Sequence, residues 1–200
     1  MRQATHITNK LLGLSKKKQL AFGLLTAERF FICYEMFSER EGFGNIEDLK
    51  KSMILIESFI VGESVDMKLV EKYKELVEQN TPDMDDFGSV NSSLALNVSA
   101  IIYEALNFIL KDEQRILKEF SSYSIDSIDR VILEIEDYDS MEFEKIDSHK
   151  LMKEEIRLQE GVVEYFEKIK SLDSEDLKTL RLMQKETEFS KLNLEKIFAE

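Results

Sequence analysis

The sequence predicts an all-α protein, a single multi-helix bundle of six to eight helices around a central apolar helix. Chain breakers are scarce, with one proline and seven glycines in 200 residues, which favours helices joined by short loops. Apolar residues recur at helical spacing, and alternating patterns of strand length are absent. Segment 89–110 is apolar around most of its circumference, with Glu104 as its only charged residue, which is typical of a helix enclosed by others.

The first third of the chain predicts two long helices after a polar lead-in over residues 1–14. Leu20, Leu24, Ala27 and Phe31 repeat at helical spacing, so a helix is expected from about 15 to 41, ended by the glycines at 42 and 44. Asn45 is suited to cap a second helix over 46–61, which Gly62 closes.

A third helix is expected over 65–80, and Pro82 prevents its continuation. The central helix follows, and Asp112 is the expected cap of a fifth helix that ends near 136. Residues 137–148 are expected to form a connector. Helices over 149–171 and 175–188 come next, and the apolar tail over 189–200 is expected to dock on the bundle. The length fits one domain, residues 1–200.

Charge and cysteine content limit the classes of partner and compartment. The net charge is −13, and residues 101–200 carry −10 of it. Such a field repels phosphate backbones and anionic membranes, so we expect no nucleic-acid or membrane partner. Cys33 is the only cysteine, and neither a signal peptide nor a run of 18 apolar residues is present. These features predict a cytoplasmic protein, and a basic protein partner is compatible with the charge.

Patterns typical of known catalytic and metal sites are absent from the sequence. A calcium loop that began at Asp83 would need oxygen ligands at its fifth and twelfth positions, which are Phe87 and Leu94. The aspartates of 83–88 are therefore interpreted as helix-capping residues. Neither His6 nor His149 belongs to a Glu-x-x-His pair of a di-metal site. Cys33 lies on a dense apolar helix and is interpreted as a buried thiol. The sequence therefore predicts no catalytic residue, no metal and no cofactor.

Charged residues within apolar helices give one candidate pocket. Glu28 and Arg29 interrupt the first long helix, and Glu104 interrupts the central one. Because unpaired burial of a charge is costly, these residues must face solvent, pair with each other or with others, or act in a site. Pairing or exposure is the simpler interpretation. The alternative is a polar cleft lined by Glu28, Arg29, Asn97 and Glu104.

A candidate partner surface lies near residue 140, where carboxylates alternate with apolar and aromatic side chains. A solvated face is the simpler interpretation of such a segment. The alternative is a docking surface, in which charge governs encounter with a basic protein and aromatic side chains supply affinity. Its candidate residues are Glu134, Glu136, Asp137, Tyr138, Asp139, Glu142, Phe143 and Glu144.

The order of several short motifs resembles the YjaG-like bacterial family of unknown function (domain of unknown function 416). The motifs are Gln19-Leu20-Ala21-Phe22, Glu28-Arg29, Tyr34-Glu35-Met36-Phe37, Gly42-Phe43-Gly44, Pro82-Asp83-Met84-Asp85-Asp86-Phe87 and Phe189-Ser190-Lys191-Leu192-Asn193-Leu194. The resemblance spans nearly the whole chain and implies an all-helical cytoplasmic protein, without implying any catalytic residue.

Two functional hypotheses follow from these observations. The first is a noncatalytic interaction protein, in its narrowest form an immunity-type protein that neutralises a basic toxin. The second is an enzyme or small-molecule binder that uses the cleft near Glu28, Arg29 and Glu104. A homodimer formed through a leftover apolar face is a third possibility.

Overall fold

The computed structural model describes residues 2–136 and 142–198, and within these ranges the chain is all-α, with no strand. Seven long helices correspond to those expected from the sequence, and three short ones are additional. The helices are α1 (Arg2–Leu12), α2 (Lys16–Glu41), α3 (Ile46–Val61), α4 (Met67–Gln79), α5 (Val90–Lys111), α6 (Leu117–Glu136), α7 (Phe143–Ser148), α8 (Lys150–Lys168), α9 (Ser174–Lys185) and α10 (Leu194–Ile197).

Helix α5 is the central helix of the bundle, as the sequence predicts. Ser89 caps its start by accepting a hydrogen bond from the backbone of Ser92, and α2, α3, α4 and α6 pack around it. By length and composition α5 could cross a membrane, since its most apolar window has a mean hydropathy of 1.5. That window is 67% buried inside the protein, as in the core helix of a helical bundle.

The turn between α2 and α3 is closed by aromatic contacts. Gly42 and Gly44 have positive φ angles, which glycine adopts at little cost. Phe43 therefore folds back, with its ring centroid 6.1 Å from Phe37 and 5.0 Å from Phe87. Phe87 belongs to the loop before α5, so this cluster joins the first hairpin to the start of the central helix.

Three consecutive lysines at the start of α2, Lys16 to Lys18, lie at the C-terminal ends of three other helices; we call them the lysine run. Lys16 donates to the carbonyl of Ile109 in α5 at 3.4 Å, and Lys17 lies beside Gly62, which ends α3. Lys18 is buried and donates to two carbonyls at the end of α8. Cations stabilise helix C-termini because the last carbonyls carry partial negative charge.

The N-terminal segment differs from the polar lead-in that the sequence suggested. Residues Arg2–Leu12 form α1, which packs on α6 and α8. Ile7 and Leu11, one helical turn apart, are buried there, and the side chain of Gln19 donates to the carbonyl of Leu11 at 2.9 Å. The contacts of α1 thus include two buried apolar side chains and a hydrogen bond from Gln19 at its end.

Asp112 also takes a different role from the predicted one. It does not cap a following helix; it ends α5 with φ 55°, and its carboxylate pairs with Lys16 at 3.2 Å. Aspartate tolerates the left-handed conformation better than most residues. Helix α6 begins instead after a short 3-10 turn over Gln114–Ile116.

The C-terminal tail is docked on α2 over its described length. Phe189 is buried against Phe30, with ring centroids 4.7 Å apart. Leu194 and Phe198 are buried as well, and Arg40 donates to the carbonyl of Phe198 at 2.6 Å. The tail thereby covers part of α2 that the other helices leave open.

Candidate functional site

Arg29 takes part in a buried ion pair that joins α2 to α8. Its guanidinium lies 2.6 Å from the carboxylate of Glu155, and the two side chains are 5% and 1% exposed. Arg29 also donates to the hydroxyl of Ser124 at 2.9 Å. Ser124 and Gln159 in turn hydrogen-bond the Glu155 carboxylate, so three helices share one polar cluster. We call it the Arg29–Glu155 cluster.

Glu28, the neighbour of Arg29, belongs to a separate ion-pair cluster. The guanidinium of Arg181 in α9 lies between Glu28 and Glu57, with two hydrogen bonds to each carboxylate at 2.6–3.0 Å. These charge-assisted bonds raise the pKa of Arg181 above its already high ordinary value. Arg181 therefore fastens α9 to both α2 and α3.

The two predicted cleft residues on α5 lie apart from Glu28 and Arg29. Asn97 is buried against α6, where its amide donates to the hydroxyl of Ser127 at 3.1 Å. Glu104 is half-buried and accepts a hydrogen bond from Asn107 at 3.4 Å. It lines a pocket of about 510 Å³ between α5 and the loop that follows α4, which we call the Glu104 pocket.

Glu28 and Arg29 line a different cavity from Glu104. They face a cavity of about 360 Å³ with Arg181 and Ser190, and Arg29 also borders a groove of about 530 Å³ beneath the C-terminal tail. The structure thus brings Glu28 and Arg29 to one side of α2, Asn97 into the α5–α6 interface, and Glu104 to its own pocket. Arg29 pairs with a carboxylate of α8, and Glu28 pairs with a guanidinium of α9.

The predicted partner surface falls partly within the described residues. Glu134 and Glu136 are exposed at the end of α6, and Glu142 and Glu144 flank the start of α7. Phe143 between them is 61% exposed, whereas Ile146 one turn later is buried. Asp137, Tyr138 and Asp139 lie outside the described residues.

Histidine, cysteine and carboxylate side chains are the candidates for metal or thiol chemistry. Residues 2–136 and 142–198 contain no group of three His, Cys, Asp or Glu side chains that could hold a metal ion. Cys33 is 2% exposed, and burial raises the pKa of its thiol to about 12. His149 is half-buried and caps α8 by accepting from the backbone N–H of Leu151 at 3.2 Å.

We expect Cys33 to be unreactive toward Ellman's reagent in the native protein near neutral pH, because the thiolate is the reacting species and burial disfavours it. Stopped-flow absorbance would show a reaction rate limited by unfolding, rising with urea. The raised pKa also means that the folded state holds a proton that the unfolded state releases. The contribution of this thiol to the free energy of unfolding is therefore fully present below its ordinary pKa of 9 and is lost as pH rises toward 12. Rapid labelling at neutral pH without denaturant would contradict this assignment.

Sequence reasoning missed the partners of the two flagged charges. Glu155 and Gln159 stand in helical register with Val162 and Phe166, all four on the buried face of α8. A carboxylate on the apolar face of a helix, as Glu155 is in the sequence, could have predicted a buried partner for Arg29. Arg181 offered a weaker signal, since it follows the buried Leu180 on α9.

Comparisons with known proteins identify a family. The family described as "Protein of unknown function (DUF416)" matches residues 6–195 of this chain. No curated protein matches this chain. The crystal structure of a DUF416 family protein from Shewanella baltica OS155 is similar, with a TM-score of 0.76 at 22% identity, covering 88% of this chain and 92% of that chain. At this identity the likeness shows the fold alone. The match over nearly the whole length shows that the chain belongs to the DUF416 family.

Proposed function

We propose that this protein is a noncatalytic interaction module that binds a basic protein through the surface at the end of α6 and the start of α7. The observation that carries the proposal is the 61% exposure of Phe143 between two carboxylates, Glu142 and Glu144. An aromatic ring that is exposed beside charged groups offers a partner a large apolar contact at low conformational cost.

The short helix α7 holds Phe143 in place. Ile146 is buried, and α7 packs on both α6 and α8. Phe143 and Ile146 are three residues apart, yet one points outward and the other inward. A cavity of about 390 Å³ lies among Glu142, Phe143, Glu144 and Lys145, so the surface is concave beside the ring.

The charge of this surface determines the kind of partner. Glu134, Glu136, Glu142 and Glu144 outnumber Lys145, which pairs with Glu142 on the same surface, and residues 101–200 carry −10 of the net charge of −13. Complementary potentials accelerate encounter and exclude acidic competitors. The partner is therefore a protein with a basic surface, and the narrowest form of the proposal is an immunity-type protein that covers a basic toxin.

Capture of partners from host-cell lysate, compared between variants, tests the proposal. The surface variant combines Phe143→Ala with Glu→Gln at positions 134, 136, 142 and 144. The matched control combines Leu69→Ala with Glu→Gln at exposed positions 63, 71, 75 and 167, which changes the net charge equally. Captures at low and high salt distinguish binding by charge, which salt weakens, from binding by apolar contact.

The expected result is a basic protein that the wild type and the control capture and that the surface variant does not. Purified partner should then bind Phe143→Ala about tenfold more weakly or worse, measured by calorimetry. A captured protein that is acidic, or that the surface variant retains equally, would contradict the proposal. So would the absence of any variant-dependent protein at both salt concentrations.

A further inference from the structure

The central helix leaves one face only half-buried, and that face is largely apolar. Leu96, Ala100, Tyr103 and Glu104 lie on one side of α5, at intervals of three and four residues. Each is partly exposed, whereas their neighbours along α5 are mostly buried by α2, α3, α4 and α6. A helix otherwise enclosed thus presents an apolar stripe that the described helices cover only in part.

This stripe forms the floor of the Glu104 pocket. The opposite wall comes from the loop after α4, where Thr81, Pro82, Asp83 and Met84 face α5 across a volume of about 510 Å³. Ala100, the smallest of the floor residues, stands between Leu96 and Tyr103 and gives the pocket its depth. A volume of this size accommodates a small organic molecule or one long side chain.

Three carboxylates border the pocket, from three different segments: Glu78, Asp83 and Glu104. Within the described residues, none of them forms an ion pair with a lysine or arginine. These three carboxylates outnumber the nearby ammonium of Lys74, so the pocket keeps a net negative charge, unlike the Arg29–Glu155 pair, whose two charges cancel.

One cation of the chain already lies at the edge of the pocket. The ammonium of Lys74 lies 5.4 Å from the centroid of the Tyr103 ring, so this ring already attracts one amine of the chain. Nearby, burial and the negative charges of Glu119 and Glu104 raise the pKa of Tyr123. The negative potential thus extends from the pocket over the adjoining part of α6.

We infer that the Glu104 pocket binds an organic cation, an ammonium or guanidinium group carried on an apolar stem. The stem lies on Leu96, Ala100 and Tyr103, and the charged head meets Glu78, Asp83 and Glu104. An anionic ligand is repelled by the carboxylates, and a neutral one forms no ion pair with them. The site is separate from the Phe143 surface, and it stands whether or not that surface binds a basic protein.

Titration of the ¹⁵N-labelled full chain with three isosteric probes tests the inference. We expect n-hexylamine, protonated at neutral pH, to bind with a Kd on the order of 1 mM and to shift the amides of residues 81, 83, 84 and 96–104. Hexanol should bind several-fold more weakly, and hexanoate should not bind. A fourth probe, Nα-acetyl-lysine N-methylamide, distinguishes a lysine side chain of a partner protein from a free amine. If this probe binds, the ligand is a protein side chain. If hexylamine binds and this probe does not, the ligand is a free amine.

Variants of the pocket separate its floor from its rim. Ala100→Leu fills the floor and should weaken hexylamine binding roughly tenfold by excluding the stem. Glu104→Gln removes one charge at similar volume and should weaken it about fivefold. Glu167→Gln, on the exposed face of α8, is the matched control and should leave the Kd unchanged. Circular dichroism melting establishes that each variant is folded, and Asp83→Asn replaces any variant that is not.

Equal binding of hexylamine and hexanol would overturn the inference, because the carboxylates would then contribute nothing. Shifts scattered over the whole surface, or an unchanged Kd in both Ala100→Leu and Glu104→Gln, would overturn it as well.

Discussion

The variant Glu155→Ala is expected to lose about 3–5 kcal/mol of unfolding free energy, since removing one partner of a buried ion pair strands the other. The side chains of Arg29 and Glu155 are 5% and 1% exposed, so the guanidinium would remain charged without a carboxylate beside it. Ser124 and Gln159 would lose an acceptor in the same place. Urea unfolding followed by circular dichroism measures the change.

Two further variants show that the loss comes from the stranded charge. Glu167→Ala, on the exposed face of the same helix, should change stability by less than about 0.5 kcal/mol. The double variant Arg29→Met with Glu155→Leu should recover most of the loss, because a buried ion pair can often be replaced by apolar side chains. A loss below about 1 kcal/mol for Glu155→Ala would mean that water reaches this pair in solution.

Lys18→Met is expected to cost about 2–4 kcal/mol, which corresponds to a fall in Tm of about 4–16 °C for a chain of this size. The ammonium donates to the carbonyls of Phe166 and Ile169 at 2.7 Å each, at the end of α8. Methionine fills a similar volume but donates no hydrogen bond, so both carbonyls lose a charged donor. Thermal melting by circular dichroism measures the effect.

The matched control is Lys118→Met, since Lys118 is exposed on α6 and the substitution changes the net charge equally. Its Tm should stay within about 2 °C of the wild type. If both variants melted alike, the contribution of Lys18 would be a general charge effect and not the cap of α8.

The helices that the sequence predicted best are those whose ends are marked by local chemistry. Asn45 caps α3 through hydrogen bonds to two backbone N–H groups, and Gly62 ends it with a positive φ. Both are short-range effects that a sequence shows directly. α1 lacks such signals, and its burial depends on α6 and α8, which follow more than 100 residues later. Asp112 was misassigned because aspartate suits both the start of a helix and the turn after one.

The candidate site was predictable only in part, for the same reason. The sequence flags Glu28 and Arg29 as charges that need a partner, because they interrupt an apolar helix. It does not identify the partners, since Arg181 pairs with Glu28 across 153 positions of the chain. Glu104 was flagged by its isolation within α5, but its pocket also requires the loop after α4, whose position depends on the packing of Phe87 and Pro82.

The lysine run has a practical consequence for following this protein in solution. An amine-acylating reagent should modify exposed Lys51 readily and spare Lys18, whose ammonium is occupied inside the bundle. The acylated fraction of Lys18, counted by mass spectrometry, then reports how often the start of α2 separates from the end of α8. The same occupancy means that enzymatic acetylation at this position would have to act on a nascent or unfolded chain.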